Sequence, residues 1–185
     1  MFFKCIFGFT KGTMAHHTED DTMGLDISAY RQMTKLNKFD LELDDDGHPV
    51  NGDALRFFDQ SDYWPRQGEG IDISSYYDYG KEDFGFRAGG YSWYGAWRSL
   101  LAEMAGLSEG ELTNESTEPF AELIFFSDCE GFIGPVVSAK LAKDFADFAE
   151  RAVEFSKTNE HFIENYNNFR YAFDMASDGG LVHFH

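Results

Sequence analysis

The sequence has few cysteines and no long apolar run. Among its 185 residues only Cys5 and Cys129 are cysteines, and they form no Cys-x-x-Cys pair. Two cysteines cannot build a framework of several disulfides, so the composition favours a reducing compartment such as the cytoplasm. A membrane-spanning helix needs about 18 or more consecutive apolar residues, and the sequence has no such stretch.

Basic residues are also scarce. Fifteen Lys and Arg stand against 33 Asp and Glu, which gives a formal net charge of −18. Phosphate and anionic lipid surfaces are bound mainly through Lys and Arg, so direct binding to nucleic acid or to a membrane surface is disfavoured. A field of this sign attracts basic proteins and accelerates their association.

Familiar catalytic motifs are missing as well. The sequence contains no P-loop, no Gly-x-Gly-x-x-Gly before a helix, no His-Glu-x-x-His, no Gly-x-Ser-x-Gly and no zinc-spaced Cys/His cluster. We therefore expect no cofactor and favour a binding protein over an enzyme.

The residues that are present predict a well-packed core. Hydrophobic residues make up 43% of the chain, with 20 Phe, 9 Tyr and 3 Trp. This length is typical of one domain, and we assign residues 23–185 to it. Residues 1–22 are predicted to be an N-terminal extension, either disordered or an added edge strand. Their apolar start lacks a preceding basic region, so it is not interpreted as a signal peptide.

Periodicity along the chain predicts the secondary structure. Strands are expected at 24–30, 39–43, 71–79, 120–126 and 181–185, from alternation or short apolar runs bounded by turns. Apolar positions at helical spacing predict helices over 92–106, from Pro135 to Phe155, and from about Glu160 to Asp178. This order predicts an α+β fold: a largely antiparallel sheet with about three helices packed on one face.

Acidic residues are concentrated in two stretches. There is no Lys or Arg between Arg98 and Lys140, nor within residues 39–55. One interpretation is a surface that docks on a basic protein, and the other is a solvated face that maintains solubility. The residues predicted to bind a partner are Asp44, Asp45, Asp46, Glu109, Glu111, Glu115 and Glu118.

Aromatic residues are dense between positions 76 and 97. Tyr76, Tyr77 and Tyr79 cannot all face inward from one strand, so some are expected to be exposed and to bind a partner or ligand. The alternative interpretation places this segment in the core.

Two patterns suggest metal binding. Asp128 and Glu130 are two positions apart, and so are His183 and His185. These four side chains could form a metal site if the strands that carry them were neighbours. Otherwise Asp128 binds the amides of its turn and the histidines lie in solvent. A calcium-loop template matches Glu42, Asp44, Asp46, Gly47 and Asp53, although a hairpin turn explains these residues better.

From Met23 onward the chain resembles a loose group of small bacterial and phage proteins. The resemblance is carried by 23–27 (Met-Gly-Leu-Asp-Ile), by 86–92 with Tyr94 and 97–98, and by 126–131 (Phe-Ser-Asp-Cys-Glu-Gly) with 133–135 and 140–141. It implies a bacterial or phage setting and supplies no activity and no functional residues.

Together these features lead to a hypothesis of a non-enzymatic, acidic module that binds a basic protein. An inhibitor of a nucleic-acid-handling enzyme, an anti-defence factor or a toxin-neutralising protein would be typical. The alternatives are a small metal-assisted hydrolase or nucleotide-binding enzyme that uses Asp128 and Glu130, and an oligomeric virion component.

Overall fold

A computed structural model describes residues 24–50, 52, 54–113, 115–127 and 129–185, so the predicted N-terminal extension lies outside the described residues. The strands are β1 (Leu25–Arg31), β2 (Lys35–Leu36), β3 (Tyr76–Tyr77), β4 (Glu82–Gly89), β5 (Gly131–Ile133) and β6 (Leu181–Phe184). Four of them form one sheet in the order β4-β1-β6-β5, in which every neighbouring pair is antiparallel. β2 and β3 pair separately.

Five α-helices accompany this sheet in the described part of the chain. They are α1 (Tyr91–Ala105), α2 (Ala121–Ile124), α3 (Pro135–Asp147), α4 (Ala149–Ser156) and α5 (Phe162–Ala176). The predicted α+β fold with an antiparallel sheet is confirmed, although the helices number five rather than about three. None of the described helices is long and apolar enough to cross a membrane.

Alternation along the strands creates a core on both faces of the sheet. Leu25, Ile27 and Ala29 of β1 belong to the main apolar cluster with the helices, whereas Tyr30 belongs to a smaller cluster. β6 divides in the same way, because Val182 joins the helical side and Leu181 the other side. Successive strand side chains point to opposite faces, so β1 and β6 connect the two clusters.

Aromatic side chains fill the helical side. The Trp97 ring of α1 is fully buried and lies 4.9 Å from the ring of Phe169 in α5. Its indole Nε1 donates to the carbonyl oxygen of Phe162 at 3.1 Å, so the only polar atom of this side chain is satisfied. The helix predicted from position 160 is therefore the central helix of the core.

Two consecutive glycines connect this helix to the last strand. Gly179 has φ +65°, the left-handed conformation expected where a helix stops. A Cβ on Gly180 would collide with the carbonyl oxygen of Tyr30. The predicted stop at Asp178-Gly179-Gly180 and the predicted final strand are both confirmed.

The strand predicted at 120–126 is wrong, because this segment contains the short helix α2. Phe120 has φ +63° and precedes the helix, and Ala121, Leu123 and Ile124 are all buried. A short apolar run that is buried on all sides has no periodicity that separates helix from strand. The Phe-Ser-Asp-Cys-Glu-Gly stretch therefore follows a helix and leads into β5.

The predicted strand at 39–43 is also wrong. A 3-10 turn spans Lys38–Asp40, and the Asn37 side chain accepts from Phe39 N at 3.2 Å. Only Tyr76–Tyr77 of the strand predicted at 71–79 is extended and paired. Before it, the Asp72 carboxylate accepts bonds from Ser74 and Ser75, which creates a turn.

Two helix boundaries differ from prediction. Helix α1 begins at Tyr91, after Gly90, and so starts one residue before the helix predicted over 92–106. The helix predicted from Pro135 to Phe155 is divided at Phe148, whose φ of −96° and ψ of 4° leave the helical region. The Phe148 ring packs 5.3 Å from the ring of Phe120, so a tertiary contact accompanies the break.

Candidate protein-binding surface

Residues 37–81 form a largely irregular segment, which we call the loop layer (residues 51 and 53 are not described), and its buried Phe57 and Tyr77 pack on the sheet face opposite the helices. Its apolar anchor is Phe57, which is buried with its ring 5.0 Å from Phe132 of β5 and 5.6 Å from His183 of β6. Tyr77 also belongs to this smaller cluster. The layer is therefore attached to the sheet by packed aromatic rings although it has little regular structure.

An acidic hairpin projects from the loop layer. Leu43 and Pro49 form an antiparallel bridge, and the Asp44 carboxylate between them accepts from His48 N at 2.7 Å and Asp46 N at 3.0 Å. These bonds, led by that from His48, lower the pKa of Asp44. The hairpin turn is therefore confirmed for the residues that match the calcium template, apart from Asp53, which is not described.

Long-range hydrogen bonds hold this hairpin in place. Arg56 Nη1 donates to the carbonyl oxygens of Asp46 and Gly47, both at 2.9 Å. Tyr76 Oη donates to the Gly47 carbonyl at 2.8 Å. The carbonyl oxygens of the turn thus accept hydrogen bonds from these two side chains, while the side chains of Asp45 and Asp46 are exposed.

Large apolar side chains are exposed in the same layer. Phe39 is 95% exposed and Phe58 is 74% exposed, the latter with its ring 5.8 Å from the His48 ring. Other exposed apolar side chains of the layer are Val50, Tyr63, Ile73 and Tyr79. Single exposed apolar residues are ordinary, but a group of them within one acidic layer is typical of a protein-binding surface.

The three predicted tyrosines have different environments. Tyr76 and Tyr77 are only 5% exposed, so their assignment to a binding surface is corrected: their rings pack in the core and their hydroxyls bind backbone. Tyr79 is 41% exposed and donates its hydroxyl to the Gly52 carbonyl at 2.8 Å. The expectation that some of the three are exposed holds for Tyr79.

The second acidic stretch is organised differently. Glu111, Glu115 and Glu118 are exposed, and the side chain of Glu109 is not described. Glu122, in contrast, is buried and accepts from Arg66 Nη2 at 2.9 Å and Lys140 Nζ at 2.6 Å. This carboxylate is a structural ion-pair partner and does not contribute to a docking surface.

The same two cations hold the backbone beside Glu122. Arg66 Nη1 donates to the carbonyl oxygen of Ser116 at 3.0 Å, and Lys140 Nζ donates to that of Glu118 at 2.6 Å. Lys140 also lies 2.8 Å from Asp144, whose carboxylate accepts from the backbone N–H of Phe120 at 2.9 Å. The buried charges are thus paired and hydrogen-bonded, as such groups must be.

His183 of the predicted metal site lies on β6 and His185 directly follows it, and β6 pairs with β5, the strand that begins after Glu130. The rings of His183 and His185 stack at 4.9 Å, and Ser28 Oγ lies 2.9 Å from His185 Nε2. Burial, with a smaller effect of His185, lowers the pKa of His183 to about 4. Asp128 is not described, and the remaining described residues, exposed Glu130 included, form no metal-binding group of three or more His, Cys, Asp or Glu.

Several residues of the loop layer were not predicted from the sequence. Phe39, Phe58, Tyr63, Asp59 and Asp62 contribute to its exposed surface. One signal could have drawn attention to the pair Phe57-Phe58, because two consecutive aromatic residues in an irregular, acidic segment seldom both face the core, but it does not tell which of the two is exposed.

Comparison of the chain with protein-family models, with curated proteins and with solved structures finds no match. The functional interpretation therefore depends on the exposure, charge and packing of the residues described above.

Proposed function

We propose that this protein is a non-enzymatic binding module whose loop layer engages a basic protein. The observation that carries the proposal is the exposure of Phe39 and Phe58 within a hydrogen-bonded, strongly acidic layer. Neither feature would suffice alone, because acidic surfaces also serve solubility and isolated exposed phenylalanines are common.

Charge supports a basic partner. Residues 39–63 hold eight Asp or Glu and a single basic residue, Arg56. That arginine donates to the backbone carbonyls of Asp46 and Gly47 in the acidic hairpin. Such a surface attracts Lys- and Arg-rich proteins and repels phosphate.

Apolar exposure supports a protein rather than a small ion as the partner. Buried aromatic anchors supply most of the binding free energy at protein interfaces, while the surrounding polar groups give specificity and association rate. The bonds from Arg56 and Tyr76 already order the hairpin, so little conformational entropy would be lost on binding.

The finer proposal concerns the kind of basic partner. Proteins that handle nucleic acids carry positively charged surfaces that bind phosphate, and an acidic surface can occupy them. We therefore favour an inhibitor of such an enzyme, for example a defence enzyme or a toxin, in the cytoplasm of a bacterial or phage-infected cell.

The proposal can be tested by selection from a library of short random peptides displayed on a neutral carrier. We expect the protein to enrich peptides that combine Lys or Arg with apolar residues. The best peptide is then titrated against F39S/F58S and against V153S/Y171S, which changes exposed apolar residues of the helical side.

We expect F39S/F58S to weaken binding at least about tenfold and V153S/Y171S to change it less than about twofold. Enrichment of neutral or acidic peptides would contradict the proposal. Equal losses in the two double variants would contradict the assignment to the loop layer.

A further inference from the structure

A depression of about 290 Å³ lies in the loop layer beside β5. Trp64, Ile71 and Phe132 form an apolar lining, and Asp59 and Glu69 add carboxylates. Pockets for small organic ligands start at about 300 Å³, so this volume suits a single long side chain better than a complete small molecule. The combination of apolar lining and acidic groups defines which side chain that can be.

The walls of the depression are held by hydrogen bonds. Gly134 N donates to the Gln67 carbonyl at 2.7 Å, which ties the segment around Gly68 to the turn after β5. The Gln60 amide donates from Nε2 to Phe132 O at 2.6 Å and accepts from Phe132 N at 3.0 Å. Because both atoms of this amide are used by the strand, Gln60 shapes the depression and leaves recognition to its neighbours.

The groups that remain for recognition are an indole and two carboxylates. The Trp64 ring is fixed at 4.9 Å from the Phe126 ring in an edge-to-face contact. Asp59 accepts from Ser61 N at 2.9 Å, and the hydroxyl and N–H of Ser61 lower the pKa of Asp59. Glu69 is an exposed residue of the same lining.

We infer that this depression receives an arginine side chain of the basic partner, an inference that rests on the proposed function. The aliphatic stem would pack on Ile71 and Ile73, and the guanidinium would stack on Trp64 and meet Asp59 and Glu69. Lysine could satisfy the charge but lacks the planar group that stacks on an aromatic ring.

The test uses the basic peptide selected above and derivatives in which each arginine is replaced singly by lysine or by citrulline, its uncharged isostere. Each derivative is titrated against the wild type, against D59N/E69Q, which removes the two charges of the depression, and against D45N/D46N, which removes two charges elsewhere in the layer. The amide introduced by Asp59→Asn keeps an oxygen that can accept the bond from Ser61.

Nuclear magnetic resonance gives an independent readout. The chain has three tryptophans, so three indole N–H signals are expected, and Trp64→Phe identifies the one from the depression. The Trp97 indole is bonded inside the helical core and serves as the internal reference.

One arginine-to-citrulline replacement should weaken binding to the wild type about tenfold and reduce the shift of the Trp64 indole signal. D59N/E69Q should bind the parent peptide about tenfold more weakly and should no longer distinguish arginine from citrulline at that position. D45N/D46N should retain the distinction.

Three results would overturn the inference while leaving the proposed function intact: lysine replaces every arginine without loss, D59N/E69Q keeps the distinction, or the Trp64 signal does not move. If no basic peptide is selected at all, the proposed function fails and the inference fails with it.

Discussion

Both acidic regions of this molecule carry a net negative charge, but they differ in construction. The loop layer contains both exposed acidic side chains and exposed phenylalanines, and the backbone of its hairpin is held by Arg56 and Tyr76. In residues 107–118, which we call the acidic linker (residue 114 is not described), Leu112 is buried and Arg66 and Lys140 bind the backbone. Charge density alone therefore does not identify an interface, and apolar exposure separates the two regions.

The largest expected effect separates two adjacent residues of the loop layer. Phe57→Ala should reduce the free energy of unfolding by about 3–4 kcal/mol, because it removes a buried ring that packs on Phe132 and His183. Phe58→Ala should cost less than about 0.5 kcal/mol but weaken peptide binding at least about tenfold. Urea unfolding and peptide titration measure the two quantities, and equal stability losses would contradict the assigned roles.

The next effect concerns the anchor of the acidic linker. Glu122→Ala leaves Arg66 and Lys140 without their shared carboxylate, and removing one partner of a buried pair is strongly destabilising. Since both cations reach solvent, we expect the free energy of unfolding to fall by about 2–3 kcal/mol. Exposed Glu118→Ala is the control and should change stability by less than about 0.5 kcal/mol. A stability loss in Glu122→Ala no larger than that in Glu118→Ala would contradict the assigned role of the buried ion pairs.

Low pH should also affect the two regions differently. His183 packs against Phe57 of the loop layer, whereas the acidic linker contains no histidine. The pKa of His183 is lowered to about 4 in the folded protein, so between its ordinary value and 4 only the unfolded chain takes up this proton. Neutral His183 therefore makes its full contribution to the free energy of unfolding above about pH 6.5. This contribution, about 2–3 kcal/mol, is lost as the pH falls toward 4.

His183→Gln should therefore lose less stability than the wild type when urea unfolding is compared at about pH 7.5 and about pH 4.5. Exposed His185→Gln removes only the smaller cause of the lowered His183 pKa and should therefore stay close to the wild type in this comparison. If His183→Gln and the wild type showed the same pH dependence, the pKa of His183 would not be lowered in the folded protein.

The smallest effect is on the rate of association. D45N/D46N should slow binding of the basic peptide about two- to fivefold at low ionic strength, with little effect at high salt. E111Q/E115Q removes the same charge from the acidic linker and should slow it less than about twofold, since screening limits the range of surface charges to about 10 Å. Stopped-flow fluorescence measures both rates, and equal slowing would indicate that only net charge matters.

The regular elements of the helical side could be predicted because their signals are local. Period-two alternation in β1 and helical spacing in α5, ended by Gly179, are properties of consecutive residues. The α2 segment could not be assigned, because its helix is stabilised by the buried Glu122 ion pairs with residues far away in the sequence.

The candidate surface was predicted only in part for the same reason. The acidic hairpin follows from Asp44–Gly47, but its position depends on Arg56 and Tyr76, which no short pattern links to it. Nor does the pair Phe57-Phe58 reveal which ring is buried, because that choice is made by Phe132 and His183 on distant strands.

The Gln60 amide also has a consequence for the behaviour of the protein at high concentration. β5 is an edge strand, and an open edge can pair with the edge of another molecule and start aggregation. Gln60 offers Phe132 one donor and one acceptor, as a neighbouring peptide group would. A single side chain thus replaces a fifth strand at this point and protects the sheet from growing between molecules.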